Sequence, residues 1–394
     1  VTGQPEVGIH DSFFSIGGNS ILGMKLVAKI ALAVDLSLPI KNLFEFPRVI
    51  DLAAKLDEAT VVSTKAKLTS GMGRISNGKV ILSFGQIRLW ATEKIEGLSA
   101  VFNTALAVRL RGVINVPCLQ TAIAYVIERH EALRTVITED ASGNLYGTLL
   151  DTPPPSSALR IIDLFNTNND SNDSLSLAIE MTERDIAQPF DISREISIRS
   201  TLIIIGAHDY ILNLIIHHQA CDAESITILI EEINRIYSRL IKNEAIATER
   251  VSVQYSDWAS WQKQVIEENY ADLVFGMKTL LADAPDYLSL PTERARVQTV
   301  TRSAGQVSFN LDATLVRGLQ QRAAEYGTTL FCMAVSAYAM LLHRLSGQST
   351  VVIGTPISGR SIFESENIVG FLVNMLPLPI RVDATTTADS LIEH

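Results

Sequence analysis

Cysteine is scarce in this chain: 394 residues hold three, at positions 118, 221 and 332. Thiols so few and so scattered exclude a disulfide framework and a zinc ribbon, and they point to a reducing, cytoplasmic setting. No Lys/Arg-rich run occurs, and 33 basic residues are outnumbered by 43 acidic ones, for a net charge of -10. That balance argues against nucleic acid and against anionic membrane surfaces as partners. The opening "VTGQPEVGIH" has neither the basic region nor the apolar core of a signal peptide. The longest apolar stretch, "TLFCMAVSAYAMLL" at 329–342, falls short of a membrane span and reads as a buried helix. There is no internal repeat, and no Gly-rich phosphate loop follows a strand.

What remains is a globular composition, 47% hydrophobic and 19% charged, long enough for roughly two or three domains. Residues 20–34 read as a helix, with Leu22, Leu26 and Ile30 at i, i+4 spacing and Val27 beside them. "IKNLFEF" ends at Pro47, and "VIDLAAKLDE" adds another helical stretch. These give a small, mostly helical unit over 1–58. The Ser, Thr, Gly and Lys of "ATVVSTKAKLTSGMGRISNGK" predict a linker over 59–79. From Val80 the texture is α+β: a helix in "PCLQTAIAYVIERH" with Pro117 in its first turn, an apolar strand in "DYILNLIIHH", and a helix in "AESITILIEEINRIYSRLI".

Two places concentrate chemistry. In "DSFFSIGGNS" (11–20), Gly17 and Gly18 can bend the chain sharply into the helix that follows. Ser20 then stands at a helix start, where open N–H groups and the dipole suit a cap and would equally suit a phosphodiester. In "IIHHQACDAES" (215–225), a strand delivers His217 and His218 to a loop, with Asp222 four residues on. A zinc set of His217, His218, Cys221 and Asp222 is disfavoured, because adjacent strand residues point to opposite faces. A Cys221 nucleophile has no supporting helix start or oxyanion-hole sequence. A lone imidazole acting as general base, with the carboxylate bracing its loop, is the third reading. A purely structural histidine pair is the fourth.

"DSFFSIGGNS", "ILGMKLVAKI" and "VDLSLPIKNLFEFPRVIDLAAKL" together resemble the peptidyl carrier protein of nonribosomal peptide synthetases over residues 5–58. The resemblance implies a small all-α, four-helix-type carrier domain whose first helix is missing. It makes Ser20 the attachment site of 4′-phosphopantetheine, with Ile21 and Met24 on a docking face. Farther on, "SFGQIRLW" (83–90), "RHEALRT" (129–135), "HHQACDA" (217–223), "YSDWASWQ" (255–262), "IGTPISGR" (353–360) and "GFLVNMLPL" (370–378) occur in that order. They resemble the successive motifs of condensation domains over roughly 80–394, and "QPFDISREISIRSTL" resembles a further family segment.

This second resemblance implies an α+β fold of two chloramphenicol-acetyltransferase-like lobes, 80–248 and 249–394, with a tunnel between them and a C-terminal end that is missing. It makes His218 the catalytic histidine, His217 its structural neighbour and Asp222 an architectural residue with an arginine partner. Arg134 and Arg360 are the candidates for that partner. Asn374 and Trp261 belong to supporting motifs, and no metal is implied. The activity implied is amide bond formation between a carrier-bound donor thioester and a downstream aminoacyl acceptor. The implied partners are an upstream adenylation domain, a downstream acceptor carrier domain, a phosphopantetheinyl transferase, and aminoacyl or peptidyl thioester substrates. Ala223 stands where the family usually has glycine, a departure that matters if that backbone needs φ > 0 or must approach the thioester. An epimerase-type relative and a degenerate, non-catalytic docking module are the alternatives.

Overall fold

The computed structural model describes the chain except for residues 1, 5, 19–21, 24, 25, 28, 31–39, 59–67, 69, 70, 76, 77, 98, 99, 167–170, 247–250, 293–304, 361 and 394. Ser20, Ile21 and Met24 therefore lie outside the described residues. The chain forms two compact units. One comprises 1–65, 270–357 and 375–394, and the other 66–269 and 358–374.

In the N-terminal part of the first unit, residues 22, 23, 26, 27, 29 and 30 are helical. They are followed by α1 (Ile40–Glu45) and α2 (Val49–Glu58). Leu22, Leu26, Val27 and Ile30 pack against buried Phe13, Leu43 and Leu52, so the i, i+4 stripe faces a core as its spacing predicts. The chain reaches this helix through a tight turn in which the Gly18 N–H donates to the Phe13 carbonyl at 2.9 Å. Gly17 sits there at φ 95°, a conformation that a side chain would strain.

The second unit is built on strand alternation. Its larger sheet has the order β2 (Asn103–Arg111), β7 (Asp209–His217), β6 (Ile198–Gly206), β5 (Arg160–Asp163). The β2–β7 and β7–β6 pairs are antiparallel and β6–β5 is parallel. A smaller sheet orders β1 (Lys79–Val80), β4 (Leu145–Leu149), β3 (Thr135–Glu139). The helices of this unit are α3 (Phe84–Glu96), α4 (Val116–Arg129), α5 (Ser171–Ile186), α6 (Ala223–Ile241) and α7 (Tyr255–Glu268).

One face of the large sheet offers Leu202, Leu212, Leu214 and Ile216 to Leu119, Ile123 and Ile127 of α4 and Leu229 and Ile233 of α6. The other offers Ile203, Ile205 and Ile211 to Ala178 of α5. Covered on both faces, β7 needs apolar residues at successive positions, and that is why "YILNLII" does not alternate. Pro117 falls in the first turn of α4, where Asn115 caps by accepting from the Cys118 N–H at 3.0 Å.

The unit runs on to Asn269 rather than dividing at 248, because Tyr255 and Trp258 in the first turn of α7 are buried in its core. The second half of the stretch expected as a linker also carries structure. Leu68 is buried in this core, and the Gly73 N–H donates to Asp257 Oδ1 at 2.9 Å.

The rest of the first unit contains α8 (Tyr270–Leu280), α9 (Ala313–Glu325), α10 (Leu330–Ser346), paired strands β8 (Thr350–Ile357) and β9 (Asn374–Arg381), and α11 (Ala388–Glu393). The apolar run 329–342 forms most of α10, but it is buried on one face only. Ala339 and Leu342 pack with Val351, Val382 and Leu391, whereas Phe331, Tyr338 and Leu341 are about half exposed. Apolar residues on both faces of this helix erased the periodicity that would have told the two apart. No single helix among the described residues is long and apolar enough to cross a membrane.

Leu202 of β6 is fully buried. Leu202→Ala is expected to lower the stability of the second unit by about 2–5 kcal/mol, read as a shifted urea midpoint at an unchanged slope.

Candidate active site

The site lies within the second unit and begins where β7 ends. His217, the last residue of β7, is fully buried, and its backbone N–H donates to the Ser197 carbonyl at 2.9 Å. Its Nδ1 accepts from the Gln219 N–H at 3.2 Å, so the ring proton is on Nε2 and is donated to Glu93 Oε1 at 3.1 Å. Phe102 and Phe190 pack edge-on against the ring. Sealed and occupied at both nitrogens, this imidazole is a structural support.

His218 is turned to a different environment. Its backbone N–H donates to the Phe102 carbonyl at 2.8 Å, and its Nδ1–H donates to the Cys221 carbonyl at 2.6 Å. A carbonyl accepts only, so this bond sets the tautomer and leaves Nε2 with an open lone pair. Nε2 has no hydrogen-bond partner among the described residues, and the side chain is only partly buried. The Phe371 ring lies against the imidazole, with centroids 4.4 Å apart. The two histidines diverge to different partners, as residues at a strand end do. Among the described residues no group of three His, Cys, Asp or Glu side chains converges as a metal set.

Asp222 is buried and caps α6: its Oδ1 accepts from the Ser225 N–H at 2.9 Å and from Ser225 Oγ at 2.7 Å. Arg360 grips it with both ends of the guanidinium, Nη1 to Oδ2 at 2.8 Å and Nη2 to Oδ1 at 2.9 Å. The Leu372 N–H also donates to Oδ2, at 3.2 Å. Arg360 continues to the Ile368 carbonyl at 3.0 Å and to Glu224 Oε2 at 3.2 Å. Both partners of this pair are almost completely enclosed, with side chains 3% and 4% exposed. Of the two arginine candidates, Arg360 is therefore the partner. Arg134 instead donates to the Leu150 carbonyl at 3.0 Å and sits 4.0 Å from Glu131.

Cys221 is buried, and burial, aided by the Asp222 charge, pushes its thiol up to about 12. A thiol so hard to ionise is no nucleophile at neutral pH; what Cys221 contributes is its carbonyl. Ala223 opens α6 as an exposed helical residue, and Asn243 is the one non-glycine residue with positive φ among those described. The backbone conformation at 223 thus has no need of glycine. Trp261 packs against the core, and Asn374 starts β9 with an exposed side chain.

Several site residues were not singled out from the sequence. Ser83, Tyr255 and Phe371 sit inside motif segments, so a signal was present without a role. Glu93 lies outside those segments and becomes visible only through its contact with His217.

The attachment residue expected in the N-terminal part, Ser20, can be judged by its flanks. The described turn closed by Gly18 and the helical residues from 22 flank it in the chain, and the sequence has a serine between them. That is the residue type a phosphodiester requires, and the flanks fit the group.

Comparisons with known proteins identify the family. The condensation domain family model matches residues 76–394, and the phosphopantetheine attachment site model matches residues 1–56. The probable non-canonical nonribosomal peptide synthetase CymA of Salinispora arenicola is 32% identical over 398 residues, covering 100% of this chain and 5% of that protein. The dimodular nonribosomal peptide synthase of Bacillus subtilis is 31% identical over 384 residues, covering 96% and 16%. Among solved structures, the X-domain from teicoplanin biosynthesis superposes with a TM-score of 0.71 at 24% identity, covering 82% of this chain and 70% of that one. The chain belongs to the condensation domain family, with a phosphopantetheine attachment domain ahead of the condensation region. It is a carrier-plus-condensation segment similar to segments of nonribosomal peptide synthetases, and it spans only a small part of the length of these two relatives. Relatives that are peptide synthetases do not favour the epimerase or docking-module alternatives.

Asp222→Ala and Arg360→Met are each expected to cost about 3–5 kcal/mol of unfolding free energy, because each leaves one buried charge without its partner. The double variant should cost less than the two together, which a urea-denaturation cycle measures. Ellman's reagent at about pH 8 is expected to label Cys118 and Cys332 in the folded protein and Cys221 only after denaturation. Peptide mass mapping of the labelled protein distinguishes the three sites.

Proposed function

We propose that this chain joins a donor thioester to an acceptor amine, with His218 as the general base. The observation that supports it is the His218 tautomer: Nδ1–H is committed to the Cys221 carbonyl, so Nε2 is the nitrogen able to take a proton. In the reaction the acceptor amine attacks the thioester carbonyl. The C–N bond forms, the C–S bond breaks, and the amine's proton passes to Nε2 and on to the departing thiolate. A base so placed contributes about 10²–10⁴-fold. Alignment of the two reactants contributes the larger share. Burial holds the Cys221 thiol protonated, so it is no acyl carrier, and in this reading the transfer is direct. Asp222 and Arg360 hold the loop that carries His218 and take no part in proton transfer.

Ser20, in the carrier at 1–58, is the residue that takes the 4′-phosphopantetheine. That group, when bound, supplies the thiol on which the donor is held. The condensation region follows from residue 80. The partners in this reading are an upstream adenylation domain, a downstream acceptor carrier, a phosphopantetheinyl transferase, and aminoacyl or peptidyl thioesters, in the cytoplasm.

The test is to load Ser20 with an aminoacyl-phosphopantetheine, add an aminoacyl acceptor carrier and follow dipeptidyl transfer by mass spectrometry. His218→Ala is expected to lower the rate by roughly 10²–10⁴-fold, and Ser20→Ala to take up no arm by intact mass. Transfer unaffected by His218→Ala would remove the histidine from this role. Exchange of the α-proton with solvent, without transfer, would show epimerisation instead.

A further inference from the structure

The Phe371 peptide, whose ring meets His218, is held by a further hydrogen bond from the core. Tyr255 is buried, stacked on Trp258 with centroids 5.6 Å apart, and its hydroxyl donates to the Phe371 carbonyl at 2.7 Å. That donation uses the only proton the phenol has. The contact of 2.7 Å between Tyr255 Oη and Ser83 Oγ must then be a donation by Ser83. Ser83 Oγ in turn accepts from the Gln86 N–H at 3.1 Å, closing the capping box at the start of α3. Each hydroxyl donates once, so the direction of the whole chain is determined: Gln86 N–H to Ser83, Ser83 to Tyr255, Tyr255 to the Phe371 carbonyl. It ties the N-terminus of α3 to the peptide whose side chain covers the imidazole. The ring itself leans on Gly85, where a Cβ would come within 2.8 Å of Phe371 Cδ1.

We propose that Tyr255 is a positioning residue for His218, acting through the Phe371 carbonyl it holds and the ring that this peptide presents to the imidazole. The proposal rests on the reading of His218 as the base. Neither Tyr255 nor Ser83 touches a reacting atom; their part is to keep Phe371 at one side of the imidazole while the Cys221 carbonyl holds the other. Without the hydroxyl, the Phe371 peptide loses its donor, the ring is free to slide, and Nε2 loses its aim.

Two variants of the full chain, loaded at Ser20, separate this role from folding. Tyr255→Phe deletes one oxygen from a ring that keeps its stacking. Gly85→Ala leaves the hydroxyl chain intact and pushes the Phe371 ring directly. Both are expected to lower kcat roughly 10- to 100-fold, at unchanged KM for the acceptor and with a retained cooperative melt. Both should also shift and broaden the ring NMR signals of His218, as the Phe371 ring moves on the imidazole, while Nδ1–H stays on the Cys221 carbonyl. Wild-type kcat together with a wild-type His218 signature in Tyr255→Phe overturns the proposal. The NMR signature is independent of activity. Should His218→Ala retain full transfer, the base assignment fails, while the signature in Tyr255→Phe still decides whether Tyr255 orders the imidazole.

Discussion

A carboxylate and a guanidinium enclosed together at the start of α6 are the contact on which the site depends. Removing both charges from water costs several kcal/mol per ion, and their attraction offsets that only when geometry and accessory hydrogen bonds are good. Here both are supplied. Each oxygen of Asp222 meets one end of Arg360, and the remaining lone pairs are taken by Ser225 and the Leu372 N–H. The pair therefore ties three stretches into one body: the helix start, the loop after β8 and the segment at 370–372. His218 stands four residues before Asp222, and its tautomer is set by the carbonyl of the residue next to that carboxylate. Displace the pair, and the carbonyl moves with it.

Around this brace the unit sorts its titratable groups by exposure. His217 is closed in, with both ring nitrogens in use. Cys221 is closed in, and its thiol is driven up by burial. Of these three, His218 keeps an uncommitted nitrogen among the described residues, on a partly open side chain. Among the described residues at this strand end, one imidazole nitrogen is open and the neighbouring thiol is held protonated. That suits transfer between two substrates better than transfer through the protein.

Much of this was legible beforehand, for reasons local to the chain. The helix 223–241 and the strand 209–217 appeared where periodicity and apolar runs placed them, and Pro117 marked the first turn of α4. Five of the six ordered motifs contribute to the site: beside the histidine motif, Ser83 comes from the first, and Tyr255, Arg360 and Phe371 from those far downstream. Less legible was α10, whose apolar residues run round the helix and so conceal which face is covered. Glu93 was silent because nothing in its own neighbourhood marks a carboxylate that faces a histidine 124 positions away.

The sequence by itself determined the residue types and their order: a serine after a pair of glycines, adjacent histidines at a strand end, an aspartate four residues on and two candidate arginines. All but the arginines are read from residue type and spacing within a few residues, and the arginines come from the resemblance to condensation domains. Only the tertiary structure decided that Arg360, 138 positions from Asp222, is the partner and Arg134 is not. It also decided that Ala223 sits in ordinary helical backbone, and that Tyr255 reaches the Phe371 carbonyl. Such pairings are through-space contacts between segments far apart in the chain. Local propensity carries no information about them, and packing of the two-sided β-sheet brings them into register.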